Sequence, residues 1–177
     1  MILTEVKLKG AFIIEPERFT DERGFFARSW SERECAAYGL DAKLDECNIS
    51  FNQRKGILRG LHFQADPYAQ AKLVRCTRGA IFDVAVDLRP DSATFKQWHA
   101  VELTSENRLQ FFIPRGCAHG FQTLTDDAEV FYQMSGVYRA EAGRGVAWDD
   151  PAFGIKWPLP NPEMIERDRN YPWLDGK

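Results

Sequence analysis

Between about residue 45 and residue 140 the chain is a succession of short strand-like runs, each closed by a turn signal. The runs are 48–52, 57–63, 72–77, 80–88, 96–103, 108–113, 119–123 and 130–138. Lys55-Gly56, Arg78-Gly79, Arg89-Pro90-Asp91-Ser92, Ser105-Glu106-Asn107, Pro114-Arg115-Gly116 and Asp126-Asp127 separate them. No helical segment alternates with these strands, so a parallel sheet with crossover helices is excluded. Antiparallel strands at this spacing predict a β-sandwich or barrel, and a jelly roll is the natural form.

The run 80–89 shows the expected pleat. Ala80, Phe82, Val84, Val86 and Leu88 are all apolar, while Ile81, Asp83, Ala85, Asp87 and Arg89 occupy the other face. A mid-strand aspartate is costly to bury without a partner. Asp83 therefore either faces solvent or lines a polar cavity inside the barrel. Before this region, residues 2–8 and 11–14 read as short strands, and Asp21-Glu22-Arg23-Gly24 as a turn. Ser31-Glu32-Arg33-Glu34 has the form of a capping box ahead of a short helix stopped by Gly39. After residue 140, Trp148, Trp157, Trp173 and several prolines predict a packed irregular lid with one short helix near 162–167. The expectation is an all-β jelly-roll domain over residues 1–177 with one or two short helices.

Composition narrows the function. A net charge of −3 with scattered cations offers no field for nucleic acid. No apolar run is long enough to span a membrane, and the first residues lack the pattern of a signal peptide. Cys35, Cys47, Cys76 and Cys117 are widely spaced and read as reduced thiols, which predicts a cytoplasmic protein.

The chemistry concentrates around Arg59-Gly60-Leu61-His62-Phe63-Gln64. His62 and Gln64 share one strand face. A lone histidine is most often a hydrogen-bonded core residue. Here Arg59, Gln64, Lys72, Asp83, His119 and Tyr132 fall at strand positions in neighbouring runs, which is the composition of a polar cavity. Imidazole exchanges protons near neutral pH, and cations hold an anion, so the set suits removal of a proton beside a carbonyl. Pro114-x-Gly116-x-x-His119 has the spacing of the second cupin metal motif. The first motif is reduced to His62-Phe63-Gln64, however, and His99 lies on another strand, so too few ligands remain for a metal. No nucleophile elbow, Walker loop or dinucleotide fingerprint occurs.

Several motifs together resemble the dTDP-4-dehydrorhamnose 3,5-epimerases, cofactor-free jelly-roll epimerases of the cupin type. They are Asp21-Glu22-Arg23-Gly24-Phe25-Phe26, the stretch from Gly56 to Gln64, Ala69-Gln70-Ala71-Lys72, Phe82-Asp83-Val84-Ala85-Val86-Asp87, Ile113-Pro114-Arg115-Gly116-Cys117-Ala118-His119-Gly120-Phe121 and Asp149-Asp150-Pro151. The resemblance implies His62 as base, Tyr132 as acid, Lys72 as the group that steadies an enolate oxygen, and Asp168 as the carboxylate that orients His62. Strand patterning alone nominates Asp83 for that last role, as the second choice. The resemblance further implies a nucleotide-diphosphate sugar as substrate, with Arg59 on the diphosphate or sugar. Asn48, Gln64, His119 and Tyr138 would line the pocket, and Arg23 and Phe26 would contact the nucleotide, reaching across a homodimer. It implies neither metal nor cofactor.

Three positions depart from the family pattern. Arg28 stands where the family carries glutamate, Glu46-Cys47-Asn48 where it carries Gln-x-Asn, and Ile165 where it carries serine. Arg28 and Glu46 match nucleotide-pocket positions, so the carrier nucleotide and the sugar stay open. The alternatives are an epimerase acting at C3 or C5 alone on a GDP- or CDP-linked sugar, and a non-catalytic sugar-nucleotide binding protein.

Overall fold

Alternating apolar residues put the predicted strands into two facing antiparallel sheets. The structure is a computed structural model and describes residues 1–41 and 43–176. In chain order its elements are β1 (Ile2–Glu5), β2 (Phe12–Glu15), β3 (Arg18–Asp21), β4 (Gly24–Ala27), α1 (Glu32–Ala37), β5 (Glu46–Asn52), β6 (Leu58–Gln64) and β7 (Lys72–Arg78). They continue with β8 (Ala80–Asp87), β9 (Trp98–Thr104), β10 (Gln110–Ile113), β11 (Cys117–Thr123), β12 (Ala128–Met134), β13 (Gly143–Gly145) and α2 (Glu166–Arg169). One sheet runs β1-β2-β10-β7-β12-β5 and the other β13-β6-β11-β8-β9, with β3 and β4 forming a separate hairpin. This is the jelly roll that the strand spacing predicts.

The two sheets close on a core of Val74, Cys76, Ile81, Ala85, Leu103, Phe111, Ile113, Phe121 and Val130. Asp83 points into this interior and is fully buried, so of its two expected environments the solvent-facing one is excluded. The other face of β8 is covered as well. Val84 and Val86 pack with Val146 and Phe153, and Phe82 and Trp157 flank them. The segment after residue 140 is thus a third layer on the five-stranded sheet.

α1 begins as expected but makes only half of its capping box. Ser31 Oγ accepts from Glu34 N at 3.4 Å. The Glu34 carboxylate turns instead to the Met1 amino group (3.0 Å) and Arg28 (2.6 Å). Gly39 ends the helix with φ +73°. Cys35 and Leu40 then cover Ile14, Leu73 and Phe112 on the outer face of the six-stranded sheet.

The C-terminal third matters most where it meets β6. β13 pairs with residues 62–64, and Leu61 and Val146 exchange backbone bonds of 3.4 and 3.1 Å. Farther along the same edge Leu58 N donates to Glu163 O at 2.9 Å. Between these two patches the amide of Gly60 donates to the carboxylate of Asp168 at 3.1 Å. A side chain there completes the edge of the strand that carries His62.

β6 and β11 approach each other unusually closely at a register shift between His119 and Phe121. A Cβ on Gly60 would lie 2.6 Å from Gly120 Cα, and one on Gly120 would lie 2.7 Å from Arg59 O. Gly60 also has φ +127°, which side-chain-bearing residues rarely adopt. Both obstacles are backbone, so neither can rotate away. Gly60→Ala is therefore expected to lower stability by about 2–4 kcal/mol, measured by urea unfolding. Wild-type stability in that variant would show that the two strands can separate without loss.

Candidate active site

The space between the sheets holds a cleft whose compartments meet at His62 and Lys72. One compartment of ≈ 280 Å³ is lined by Asn48, Ser50, Arg59, His62, Lys72, His119 and Tyr132. The other, of ≈ 420 Å³, is lined by His62, Gln64, Lys72, Tyr138, Arg144, Arg167 and Tyr171 among others. His62 comes from β6 of the five-stranded sheet, and Tyr132 from β12 of the six-stranded sheet. The two side chains therefore enter one compartment from facing walls.

His62 Nε2 lies 2.9 Å from Asp168 Oδ1. The ring N–H direction is off the line of a linear hydrogen bond, so the contact is electrostatic more than directional. Tyr171 meets the imidazole edge to face at a centroid distance of 5.7 Å. Asp168 is 1% exposed. Burial pushes its carboxyl upward, but His62, the Gly60 amide and Arg167 outweigh that and hold it below the usual carboxylate range. Asp168 is thus an anion fixed beside the ring.

Asp83 does not orient His62. It pairs with His119, Oδ1 to Nε2 at 2.8 Å. The reason is register: on β11, His119 stands opposite His62 on one side and Ala85 on the other. Its ring therefore lies between His62 and the carboxylate two residues before Ala85 on the same strand face. Burial lowers the pKa of His119, and Asp83 offsets only part of that, so the ring is neutral. Its edge contacts Tyr132 at 5.9 Å.

Lys72 reaches across from β7 and donates to His62 O at 3.1 Å. Burial pulls its ammonium down to about 8, against the opposing pull of Asp83. Burial, and then the Asp83 charge, push the Tyr132 phenol far above its ordinary value, against smaller effects of Arg59 and Ser50. Tyr132 is therefore a protonated phenol throughout the neutral range. Arg59 donates to Asn52 Oδ1 at 2.7 Å at the mouth of the smaller compartment. Gln64 is held between Tyr68 O (2.8 Å) and Arg139 N (2.6 Å).

The structure brings together His62, Tyr132, Lys72, Asp168, Arg59, Asn48, Gln64, His119 and Tyr138. Glu46 stands beside the cleft and accepts from Tyr138 N at 3.2 Å. Arg23, Phe26 and Arg28 do not reach the cleft of their own chain. Arg23 pairs with Asp21 on the exposed hairpin, Phe26 is 74% exposed there, and Arg28 pairs with Glu34. Sequence reading missed Tyr171, Arg167, Arg144 and Ser50. One signal existed for Tyr171. A Cβ on Gly145 would lie 2.3 Å from its ring, so the Gly143-Arg144-Gly145 pattern marks a strand left bare for an aromatic. Among the described residues no group of three or more His, Cys, Asp or Glu side chains is arranged to hold a metal ion.

The chain matches the family model for dTDP-4-dehydrorhamnose 3,5-epimerase over residues 5–176. The enzyme of that name from Methanothermobacter thermautotrophicus is 48% identical over 173 residues, covering 94% of this chain and 91% of that one. The crystal structure of dTDP-4-dehydrorhamnose 3,5-epimerase from Elizabethkingia anophelis superposes with a TM-score of 0.96 at 41% identity, covering 99% of this chain and 97% of that one. The dTDP-6-deoxy-D-glucose-3,5-epimerase of Legionella pneumophila, solved in complex with dTDP-4-keto-L-rhamnose, gives a TM-score of 0.91 at 38% identity, covering 98% and 93%.

Asp168 also sets a pH dependence of stability. Its folded pKa lies below the unfolded value of about 3.9. The stability it contributes is therefore complete above that value and is lost as pH falls through the folded pKa. Asp168→Asn is expected to be less stable than wild type at pH 7 by about 1–3 kcal/mol, with the gap closing below about pH 4. Thermal unfolding from pH 7 to pH 2 measures it; a gap independent of pH would mean that the carboxylate charge plays no part.

Proposed function

Because the chain belongs to the dTDP-4-dehydrorhamnose 3,5-epimerase family, we propose that its cleft is an epimerase active site with His62 as base, Tyr132 as acid and Lys72 as the cation for the enolate. The protein is an epimerase of nucleotide-linked 4-keto-6-deoxy sugars. One observation supports the assignment of roles: His62 and Tyr132 face each other across a single compartment, with the Asp168 carboxylate beside the imidazole and the phenol buried.

The ketone at C4 acidifies the neighbouring C–H bonds. Neutral His62 removes one such proton, and the electron pair moves onto the C4 oxygen as an enolate. Asp168 supports the imidazolium that forms, as a carboxylate partner does. The Lys72 ammonium faces the developing oxyanion in a water-poor site, where such a charge is most effective. Tyr132, kept as a phenol by burial, returns a proton to the carbon from the opposite face. Delivery from that face inverts the centre, and exchange with solvent resets the base and acid. Arg59, Arg144 and Arg167 flank the cleft and supply the cations a diphosphate needs.

The working unit in this reading is a homodimer. Phe19 and Phe26 on the β3–β4 hairpin are 70% and 74% exposed, and Ile49 and Phe51 on the outer face of edge strand β5 are 65% and 45% exposed. Exposed apolar surface of this extent marks an interaction site. A hairpin reaching into the cleft of a second copy would place Arg23 and Phe26 at the nucleotide. A cytoplasmic location is consistent with four free cysteines.

Proton NMR in D2O with dTDP-4-keto-6-deoxyglucose tests the reading. Deuterium is expected at both C3 and C5, with exchange slowed on the order of 10²–10⁴-fold in His62→Ala. Exchange at one carbon alone would make the protein a single-position epimerase, and turnover of only a GDP- or CDP-linked sugar would change the nucleotide. No exchange with any of these would sink the assignment.

Lys72 predicts the basic limb of the rate profile. It is cationic below its pKa of about 8 and neutral above it. Enolate stabilisation is therefore lost as pH rises, and kcat/KM should fall above about pH 8. Lys72→Arg, whatever its residual rate, should lack that limb because guanidinium does not titrate there. A limb that persists in the variant belongs to another group.

A further inference from the structure

Asp168 alone does not fix the His62 ring. Its Oδ1 lies 2.9 Å from His62 Nε2 but off the hydrogen-bond line, so it attracts the imidazole without setting its plane. Rotation of an imidazole about Cβ–Cγ is soft, because that torsion has broad wells. A base that must point at one carbon needs a second constraint, since small misplacements cost rate.

A cross-strand neighbour could supply that constraint, because residues directly opposite on paired strands set their side chains beside each other. His62 stands opposite Gly145 of β13, which has no side chain to offer. The backbone at Gly145 does not require glycine, since its φ is not among the positive ones. Tyr171 requires it: a Cβ at position 145 would lie 2.3, 2.4 and 2.5 Å from ring atoms Cε2, Cζ and Cδ2. The Tyr171 ring takes the vacant place and meets the imidazole edge to face, 5.7 Å between centroids and 78° between planes. Tyr171 is itself anchored on both sides. Ahead of it, Asp168 accepts the Gly60 amide of β6 at 3.1 Å. Just after it, Pro172 O accepts from Ala147 N at 3.0 Å. One short stretch of chain thus delivers both the carboxylate at Nε2 and the ring against the imidazole.

We propose that Tyr171 is a positioning residue of the epimerase reaction, which with Asp168 clamps the His62 imidazole, and that Gly145 is bare in order to admit it. The inference rests on the epimerase reading of the cleft. Tyr171 exchanges no proton in this role. Its ring holds the imidazole plane so that His62 faces the compartment it shares with Tyr132.

Steady-state turnover by the full chain tests the proposal, with thermal unfolding reporting that each variant folds. The substrate is dTDP-4-keto-6-deoxyglucose, or the GDP- or CDP-linked sugar if the wild type takes that instead. Tyr171→Ala is expected to lower kcat by about tenfold or more while KM changes by less than about threefold. Tyr171→Phe, which keeps the ring, should recover most of that loss. Gly145→Ala, which displaces the ring, should lower kcat as Tyr171→Ala does. The double variant should lose no more than Tyr171→Ala alone, because both substitutions act on the same ring. If Tyr171→Ala does not fold, Tyr171→Leu fills the space without a planar edge and carries the same expectation. Four results would each overturn the proposal: unchanged kcat in Tyr171→Ala, a loss confined to KM, a Phe variant as impaired as Ala, or losses that multiply in the double variant. An inactive wild type would overturn it together with the epimerase reading, whereas those four results in an active enzyme overturn this proposal alone.

Discussion

The Asp168 carboxylate answers two needs at once, and both belong to β6. One oxygen accepts the Gly60 amide, the single stretch of that edge left between the patches made by Val146 and Glu163. The other oxygen stands 2.9 Å from the His62 ring. An edge amide buried without an acceptor would be costly, so the C-terminal segment cannot dock correctly unless α2 delivers this carboxylate. Correct docking of that segment and correct setting of the imidazole are therefore the same event. This explains why a four-residue helix with no side-chain N-cap bond persists at the end of a β protein: it is held from outside by what Asp168 touches.

The cleft is balanced by unlike environments for similar groups. Two carboxylate–imidazole pairs have their histidines on the adjacent strands β6 and β11, yet His119 is walled in and kept neutral at pH 7 while His62 keeps about a third of its side chain accessible. Of the two rings, His62 is the one with an open path to solvent. Asp83 is the counterweight within the interior. Its charge opposes the loss of the Lys72 proton and discourages ionisation of Tyr132. Without it, burial alone would drive Lys72 toward the neutral form, and a neutral amine cannot stabilise an enolate oxygen as an ammonium does. In the proposed chemistry a buried carboxylate thus helps to preserve the Lys72 cation.

The strands from β6 to β12 were legible because each has apolar residues facing a core and a turn residue at its end, and β5 was legible from its β-branched and aromatic residues although they face outward. The β3–β4 hairpin was not, since all but one of its residues are exposed and solvent imposes no alternation. β13 is Gly-Arg-Gly, a poor strand by propensity; it exists because β6 offers it an edge and Tyr171 occupies the space where side chains would be. The alternation in β8 separated its two faces correctly. It could not reveal that both are buried, because the cover on the second face comes from Phe153 and Trp157, about 70 residues onward by sequence number. His62, Lys72 and Tyr132 were visible as chemistry on strands. The partnership of Asp83 with His119 depended on cross-strand register, which residue types alone do not specify.

Arg28 shows how a departure from a family pattern can be absorbed locally. A cation where the relatives' pattern has an anion would alter any nucleotide that approached it, if the charge were free. In this chain Glu34 engages Arg28 with one carboxylate oxygen and the Met1 amino group with the other. Those two contacts, the amino group first, hold Glu34 below the usual carboxylate range. Glu34 is drawn into this cluster at the expense of the reciprocal half of its own capping box, so the exchange at position 28 reaches into how α1 begins. A ligand that wanted Arg28 would have to compete with a carboxylate already in place 2.6 Å away. The reversal of sign therefore acts first on the packing of the N-terminus against α1.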